Sequence, residues 1–227
     1  MIRVSMFVYS VAGIVGGTIV PAQLPAQPGP PGAPAVTNKF YSSSGKWVQV
    51  SNKNCMIWGS WPRGGESVNW SGGVADGKAY GEGILQWFTN GIPTSSYEGE
   101  VKDGLADGHG IAKGSGEEYE GEWKRGSLVS TNGTIKYADG NWYRGDIKDG
   151  FKTGHGEELM KGGVRYVGQF KNDRFNGKGE MFLPNGDRIA GEWRDSKLVG
   201  VGTYHKKSGD SFKVKQTESG IEPEPGR

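Results

Sequence analysis

Residues 119–126 read Tyr119-Glu120-Gly121-Glu122-Trp123-Lys124-Arg125-Gly126. In an extended strand alternate side chains share a face, so Tyr119, Gly121 and Trp123 point one way while Glu120 and Glu122 point the other. A ring, a glycine and a ring inside with carboxylates outside describe a half-buried strand. Glycine ordinarily weakens a strand, but here its bare backbone offers neighbouring rings a surface to lie on, which offsets that cost.

The pattern recurs. Six segments open with a large apolar residue and carry glycine two positions later, starting at Trp70, Tyr97, Tyr119, Tyr143, Tyr166 and Ile189, with intervals of 27, 22, 24, 23 and 23 residues. Four positions after each start stands another apolar residue: Val74, Val101, Trp123, Ile147, Phe170 and Trp193. Paired glycines follow at eleven and thirteen positions in every unit except the third, where Gly133 is displaced by one residue. Phe212, 23 residues after Ile189, reads as the opening of a truncated seventh unit. The paired glycines read as turns, and a second short strand is expected after them, as in Ile84-Leu85-Gln86-Trp87. It closes at Asn90-Gly91, Asp139-Gly140, Asn185-Gly186 or Ser208-Gly209, which tolerate the positive φ of hairpin turns. Each unit is then one β-hairpin. An isolated hairpin is marginal in water, so the hairpins must stack. The predicted fold is all-β: an elongated single-layer antiparallel sheet of about six hairpin repeats.

Composition agrees. Glycine supplies 41 of 227 residues and aromatic residues supply 25, which argues against a helical Leu/Ile/Val core and against a ring-poor disordered chain. Lys and Arg number 27 against 25 Asp and Glu, a net +2, and residues 70–212 alone carry −2, so there is no electrostatic footprint for nucleic acid. A lone Cys55 cannot close an intramolecular disulfide or build a structural zinc site.

The N-terminus has a different character. Arg3 precedes an uncharged apolar run at 4–20 that ends in small-residue sites, the layout of a secretory signal or a retained anchor. The expected organisation is a signal peptide or N-terminal anchor over 1–22, a Pro-rich spacer over 23–37 and an N-terminal cap over 38–67. The repeat array then covers 68–212, and a tail with a disordered end covers 213–227. This places the chain in the periplasm or outside the cell, or anchored to the membrane by residues 4–20.

The recurring Tyr-Glu-Gly-Glu-Trp-Lys-Arg-Gly stretch, with its Gly-His-Gly and Asn-Gly elements, resembles the MORN repeat (membrane occupation and recognition nexus). Units one and six depart in opening with Trp70 and Ile189, and unit three in losing its first paired glycine. The resemblance implies a single-layer array of hairpins used as a scaffold for protein or lipid contact.

Chemistry-bearing candidates compete with structural readings. Tyr119, Trp123, Trp142, Tyr143, Tyr166, Phe170 and Trp193 form either an exposed aromatic track for sugars or peptides or the only core a one-layer sheet has. His109 and His155 occupy equivalent positions of units two and four, either as a shared metal pair or as occupants of a variable site; no metal and no cofactor are expected. Glu98, Glu100, Glu118, Glu120, Glu122 and Glu192 recur on the charged face, where a catalytic pair for glycoside hydrolysis competes with a simple solvated surface. Cys55 is either buried and free or paired with another chain. The leading expectation is a non-catalytic exported protein offering a binding and scaffolding surface at the cell envelope. A membrane-lipid attachment module and a glycan-acting enzyme are the alternatives. Partners are a protein or an envelope glycan, with membrane contact through the N-terminal segment and no nucleic acid.

Overall fold

The computed structural model describes residues 46–59, 65–218 and 220–224, so the signal or anchor, the spacer and part of the cap lie outside the described residues. Four short strands come first: β1 (Lys46–Gln49), β2 (Met56–Gly59), β3 (Glu66–Trp70) and β4 (Gly73–Ala75). The array continues through β5 (Lys78–Thr89), β6 (Ile92–Lys102), β7 (Leu105–Gly114), β8 (Glu117–Lys124), β9 (Ser127–Leu128), β10 (Ser130–Lys136) and β11 (Trp142–Lys148). It is completed by β12 (Phe151–Met160), β13 (Val164–Lys171), β14 (Arg174–Phe182), β15 (Arg188–Arg194), β16 (Lys197–His205), β17 (Ser211–Gln216) and β18 (Ile221–Pro223). β3 and β4 share the free side of β5, β9 and β10 share one side of β8, and every other neighbour from β5 to β18 is paired antiparallel with the next. No helix occurs among the described residues.

Two kinds of turn alternate along the sheet. One joins consecutive units, at Asn90-Gly91 and its equivalents. The other lies inside each unit, at Asp76-Gly77, Asp103-Gly104, Arg125-Gly126, Asp149-Gly150, Asn172-Asp173 and Asp195-Ser196. Both central residues there have positive φ, the type I′ geometry that matches strand twist. These inner turns clasp neighbouring units together. The backbone N–H of Gly104, Gly126, Gly150, Asp173 and Ser196 donates to the carbonyl of Ala79, Ala106, Leu128, Lys152 and Phe175 in the preceding unit.

The paired glycines are not turns, and the second strand does not wait for them. That expectation is corrected: in unit two β7 starts at Leu105 and holds Gly108 and Gly110 in its interior. Between the pairs Val101↔Ala106 and Gly99↔Gly110, two steps on β6 face four on β7, which is a β-bulge. The same bulge recurs at Gly145/Ile147 and Gly168/Phe170. Its left-handed residue is the first paired glycine, with φ +53° at Gly154 and +105° at Gly177. The extra backbone donors are satisfied by the side chain three positions beyond the opening tyrosine of the unit. His155 N–H donates to Asp146 Oδ2 at 2.7 Å and Lys178 N–H donates to Gln169 Oε1 at 3.0 Å.

The second paired glycine meets the first strand's glycine directly. Gly83↔Gly99, Gly99↔Gly110 and Gly110↔Gly121 are cross-strand partners, as are Gly133↔Gly145, Gly145↔Gly156, Gly156↔Gly168, Gly168↔Gly179 and Gly179↔Gly191, so a row of glycines crosses the sheet. Tyrosine rings lie on this row. A Cβ added at Gly110, Gly156 or Gly179 would overlap the ring and hydroxyl of Tyr97, Tyr143 or Tyr166 respectively. Each hydroxyl donates over the glycine to the carbonyl three residues on: Tyr97 to Glu100 at 2.9 Å, Tyr143 to Asp146 at 2.8 Å and Tyr166 to Gln169 at 3.2 Å.

Unit three breaks the rule for a countable reason. Its bulge holds one more residue, since Trp123 pairs with Leu128 while Glu120 pairs with Thr134. The strand splits into β9 and β10, Leu128 and Ile147 methyls cover Gly121 and Gly133, and the Tyr119 hydroxyl turns to Glu117 at 2.8 Å.

Unit four places charge in the core. The position nine residues after each start is Ala79, Ala106, Leu128, Lys152, Phe175 and Leu198, all buried, and Lys152 is 5% exposed. Glu158 stands in the inner row between Tyr143 and Tyr166. The two form an ion pair beneath the rings of Tyr137, Tyr143 and Phe170, with Lys152 Nζ 5.6 Å from the Tyr143 ring centre. Asp173 accepts the Lys152 backbone N–H at 2.8 Å. Burial raises the Glu158 and Asp173 carboxyls above their usual range, against the opposing pull of Lys152.

Both ends of the sheet are closed off. Ser51 N–H donates to the Val68 carbonyl, and the Asn52 amide exchanges hydrogen bonds with both backbone groups of Trp70, at 2.9 and 3.0 Å. At the other end the tail departs from expectation. Phe212 stacks on Tyr204 with ring centres 4.9 Å apart and Val214 is buried, so β17 and β18 extend the sheet through residues assigned to a tail with a disordered end.

Substitutions at the glycines and at the buried ion pair test this packing. Gly110→Ala or Gly156→Ala forces a methyl into a tyrosine ring and should lower stability by about 2–3 kcal/mol in urea unfolding. Gly140→Ala, with nothing within 4 Å, should lose only about 1 kcal/mol from its positive φ; equal losses would contradict the ring-on-glycine account. Lys152→Ala strands Glu158 and should cost about 3–5 kcal/mol, whereas the double change Lys152→Leu with Glu158→Met should be near neutral or stabilising. The pH dependence has a definite sign. With its folded pKa above the unfolded one, Glu158 binds its proton more tightly in the native state, so its titration adds stability as pH falls through that window. The stability gap between wild type and Glu158→Gln should therefore widen from neutrality toward the ordinary carboxylate range; a gap that narrows would refute the raised carboxyl.

Candidate binding surface

The seven rings proposed as an aromatic track are placed almost entirely inside. Tyr119, Tyr143 and Tyr166 are 0% exposed and Trp123, Phe170 and Trp193 are 3% or less; Trp142 alone is half-buried, on the opposite face. The six pack into a continuous core shared between units. Tyr97 meets Trp123 edge to face at 5.4 Å, Tyr143 meets Phe170 at 5.0 Å, and Tyr166 stacks on Phe175 at 3.8 Å while its edge contacts Trp193 at 5.7 Å. Such pairs add about 0.5–1.5 kcal/mol each beyond area burial.

Their polar atoms are satisfied within the sheet. Trp123 Nε1–H donates to the Gly110 carbonyl at 2.9 Å and Trp193 Nε1–H to that of Gly179 at 3.1 Å. Burial, as the leading cause, pushes the hydroxyls of Tyr97, Tyr119, Tyr143 and Tyr166 well above the usual phenol range, so they remain protonated donors. The half-exposed Tyr204 is pushed up to about 12, by burial and then by its hydrogen bond to Asp187 at 2.6 Å. The rings therefore offer no open track, and the Lys152–Glu158 pair beneath them is closed on itself.

The opposite, outer face is the one left open by this packing. One outer row reads Ile84, Glu98, Ile111, Glu120, Thr134, Arg144, Glu157, Val167, Glu180, Ala190, Thr203 and Lys213 in cross-strand register. The next row toward the unit-joining turns carries Trp142, Leu159, Arg165, Phe182, Arg188 and His205 as consecutive partners. There the Arg165 guanidinium sits 4.2 Å from the centre of the Phe182 ring and bonds Glu157 at 2.6 Å, while Arg188 faces Glu180 at 3.4 Å. At the junction of units two and three, Lys113 and Lys136 both grip Glu118, at 3.2 and 2.7 Å, and hold its carboxyl below the usual range. The face alternates apolar and charged groups, of which Glu118, Arg165 and Arg188 are held in ion pairs.

The histidine and carboxylate candidates also lie on it. His109 and His155 are exposed but stand four strand spacings apart, about 19 Å, so they cannot share a metal. Glu82 and Glu100 are direct cross-strand partners, and Glu98, Glu100, Glu122 and Glu192 are exposed. Cys55 is buried and free, and burial raises its thiol. Sequence reasoning missed the Lys152–Glu158 pair and the inner turns; the Asp-Gly dipeptides at Asp76-Gly77, Asp103-Gly104 and Asp149-Gly150, each five residues before the first paired glycine, were the available signal for the latter in three of the six units.

No curated protein matches the chain. The family model for the MORN repeat matches residues 97–115, 119–128, 143–164, 166–188 and 190–211. These stretches begin at or beside the opening residue of units two to six, and together they reach across 97–211, about half of the chain. MORN repeats are commonly binding or scaffold modules and typically non-catalytic. With the hairpin array and its glycine row, these matches make the chain a member of the MORN-repeat family.

Proposed function

We propose that this chain is a non-catalytic repeat protein, exported to the cell envelope, whose hairpin array serves as a binding and scaffolding surface for a protein or an envelope glycan. One observation carries the reading: the inner rings are consumed by the core, while the outer face keeps an ordered ladder of exposed charges interrupted by Ile84, Val167 and Val201, each 38–50% exposed. Export rests on the positive charge, apolar run and small-residue sites over 1–22.

The test is affinity capture from envelope extract with the full chain, alongside incubation with a glycan panel and sedimentation with anionic vesicles at physiological salt. A specific protein or glycan should be retained without hydrolysis and without pelleting, since residues 70–212 carry −2 and anionic headgroups attract Lys/Arg clusters. Hydrolysis lost on mutating Glu98 and Glu120 would replace the reading with an enzyme, and pelleting would replace it with a lipid-attachment module. For export, the N-terminus of the cellular protein should begin at Gln23 or Gln27; an intact Met1 in the envelope fraction would indicate anchoring by residues 4–20, and an intact chain confined to the cytosol would overturn export.

A further inference from the structure

Charge is segregated along the array. Residues 66–126 hold 11 acidic and 5 basic side chains, a net −6, whereas 127–218 hold 12 acidic and 16 basic, a net +4. The acidic excess is concentrated on the outer face. Glu82, Glu98, Glu100, Glu120 and Glu122 lie there in adjacent rows, none in an ion pair among the described residues, and Glu82 directly opposes Glu100. Like charges held opposite one another across a ladder are destabilising, so this arrangement favours an external cationic partner. In the second half the same face exposes Arg144, Lys213 and Lys215, again outside any ion pair among the described residues.

The edges disfavour the simplest way for such a sheet to self-associate. At the first edge Asn52 occupies both backbone groups of Trp70, and Lys53 Nζ donates to the carbonyls of Ser71 and Gly72. At the last edge Glu224 N–H points inward to Lys213, so by strand alternation Pro223 occupies the outward position and supplies no donor there. End-to-end addition of another sheet is thereby disfavoured.

A face negative at one end and positive at the other is complementary to itself when two copies run antiparallel, because a two-fold axis sets each acidic half against the partner copy's basic half. We propose that two copies of this chain pair antiparallel through their outer faces, units one to three of each copy against units four to six of the other. Ile84, Val167 and Val201 supply apolar contact within that ionic frame. This inference rests on the reading of the outer face as a binding surface, with the partner specified as a second copy.

The test uses the full chain in non-ionic detergent, which keeps residues 4–20 dispersed, with mass read by sedimentation velocity. At low salt, about 30 mM, wild type should sediment as a dimer, and the dissociation constant should rise at least about tenfold at about 500 mM, where exposed charges are screened within a few ångströms. The triple variant Glu98→Lys, Glu100→Lys, Glu120→Lys should be monomeric, and so should Arg144→Glu, Lys213→Glu, Lys215→Glu. An equimolar mixture of the two variants should recover the dimer, which a folding defect could not produce. A wild-type monomer at low salt, or either variant alone dimerising as tightly as wild type, would overturn the proposal. A monomer that still retains an envelope partner would remove the dimer alone and leave the binding-surface reading standing.

Discussion

Everything in this sheet depends on a tyrosine ring lying flat on a pair of glycines that face each other across two strands. Any side chain at Gly110, Gly156 or Gly179 would press into the ring, and truncating Tyr97, Tyr143 or Tyr166 would uncover the glycine backbone beneath it; in unit one the Trp70 ring takes the same place over Gly72 and Gly83. Glycine is a poor strand residue alone, and a single layer is a poor core alone. Each deficiency is offset by the other, because the missing Cβ lets rings pack to the density that a second sheet would otherwise provide. The bulge brings the second glycine under the ring, and the side chains of Asp146 and Gln169 stabilise the bulge by accepting its spare donors.

The exceptions show how far the rule bends. Unit three carries one residue too many between its turn and its second glycine, so Tyr119 leaves the glycine row and methyls of Leu128 and Ile147 fill the vacated surface. Unit four keeps the tyrosine and both glycines but replaces two core positions at once with Lys152 and Glu158, which neutralise each other beneath the rings. A lone charge there would be intolerable; a pair is sustained with little net gain. Both units keep the clasp from the inner turn to the preceding unit, so continuity survives local change.

Much of the architecture could be read from the chain itself. The alternation at Tyr119-Gly121-Trp123 and its recurrence near every 23 residues led to an open sheet of stacked hairpins, and the displaced Gly133 marked the irregular unit. The role of the paired glycines was misread because a bulge and a turn use the same residue for the same reason, a positive φ, and spacing alone does not separate them. The C-terminal strands were missed because Phe212 lacks its glycine, and only its stacking on Tyr204 reveals the seventh opening. Ring burial is not legible in the sequence for a physical reason: alternation tells which residues share a face but not which face a one-layer sheet covers. The Lys152–Glu158 pair was invisible because residues six apart on a regular strand stand about 20 Å apart, and only the bulge, which fits those six residues against four of β11, brings the two charges together.

With the rings committed to the core, the outer ladder of charges is the surface the family's scaffolding role has available, carried on strands that meet along the glycine row behind it. The most direct measurement is the proton chemical shift of the glycine α-hydrogens by nuclear magnetic resonance. If tyrosine rings lie on Gly110, Gly156 and Gly179, those protons should be displaced far upfield by ring currents while those of Gly140 and Gly162, with no ring above them, stay at ordinary positions. Ordinary shifts at all five would contradict the packing on which the sheet, its clasped units and its outer face are built.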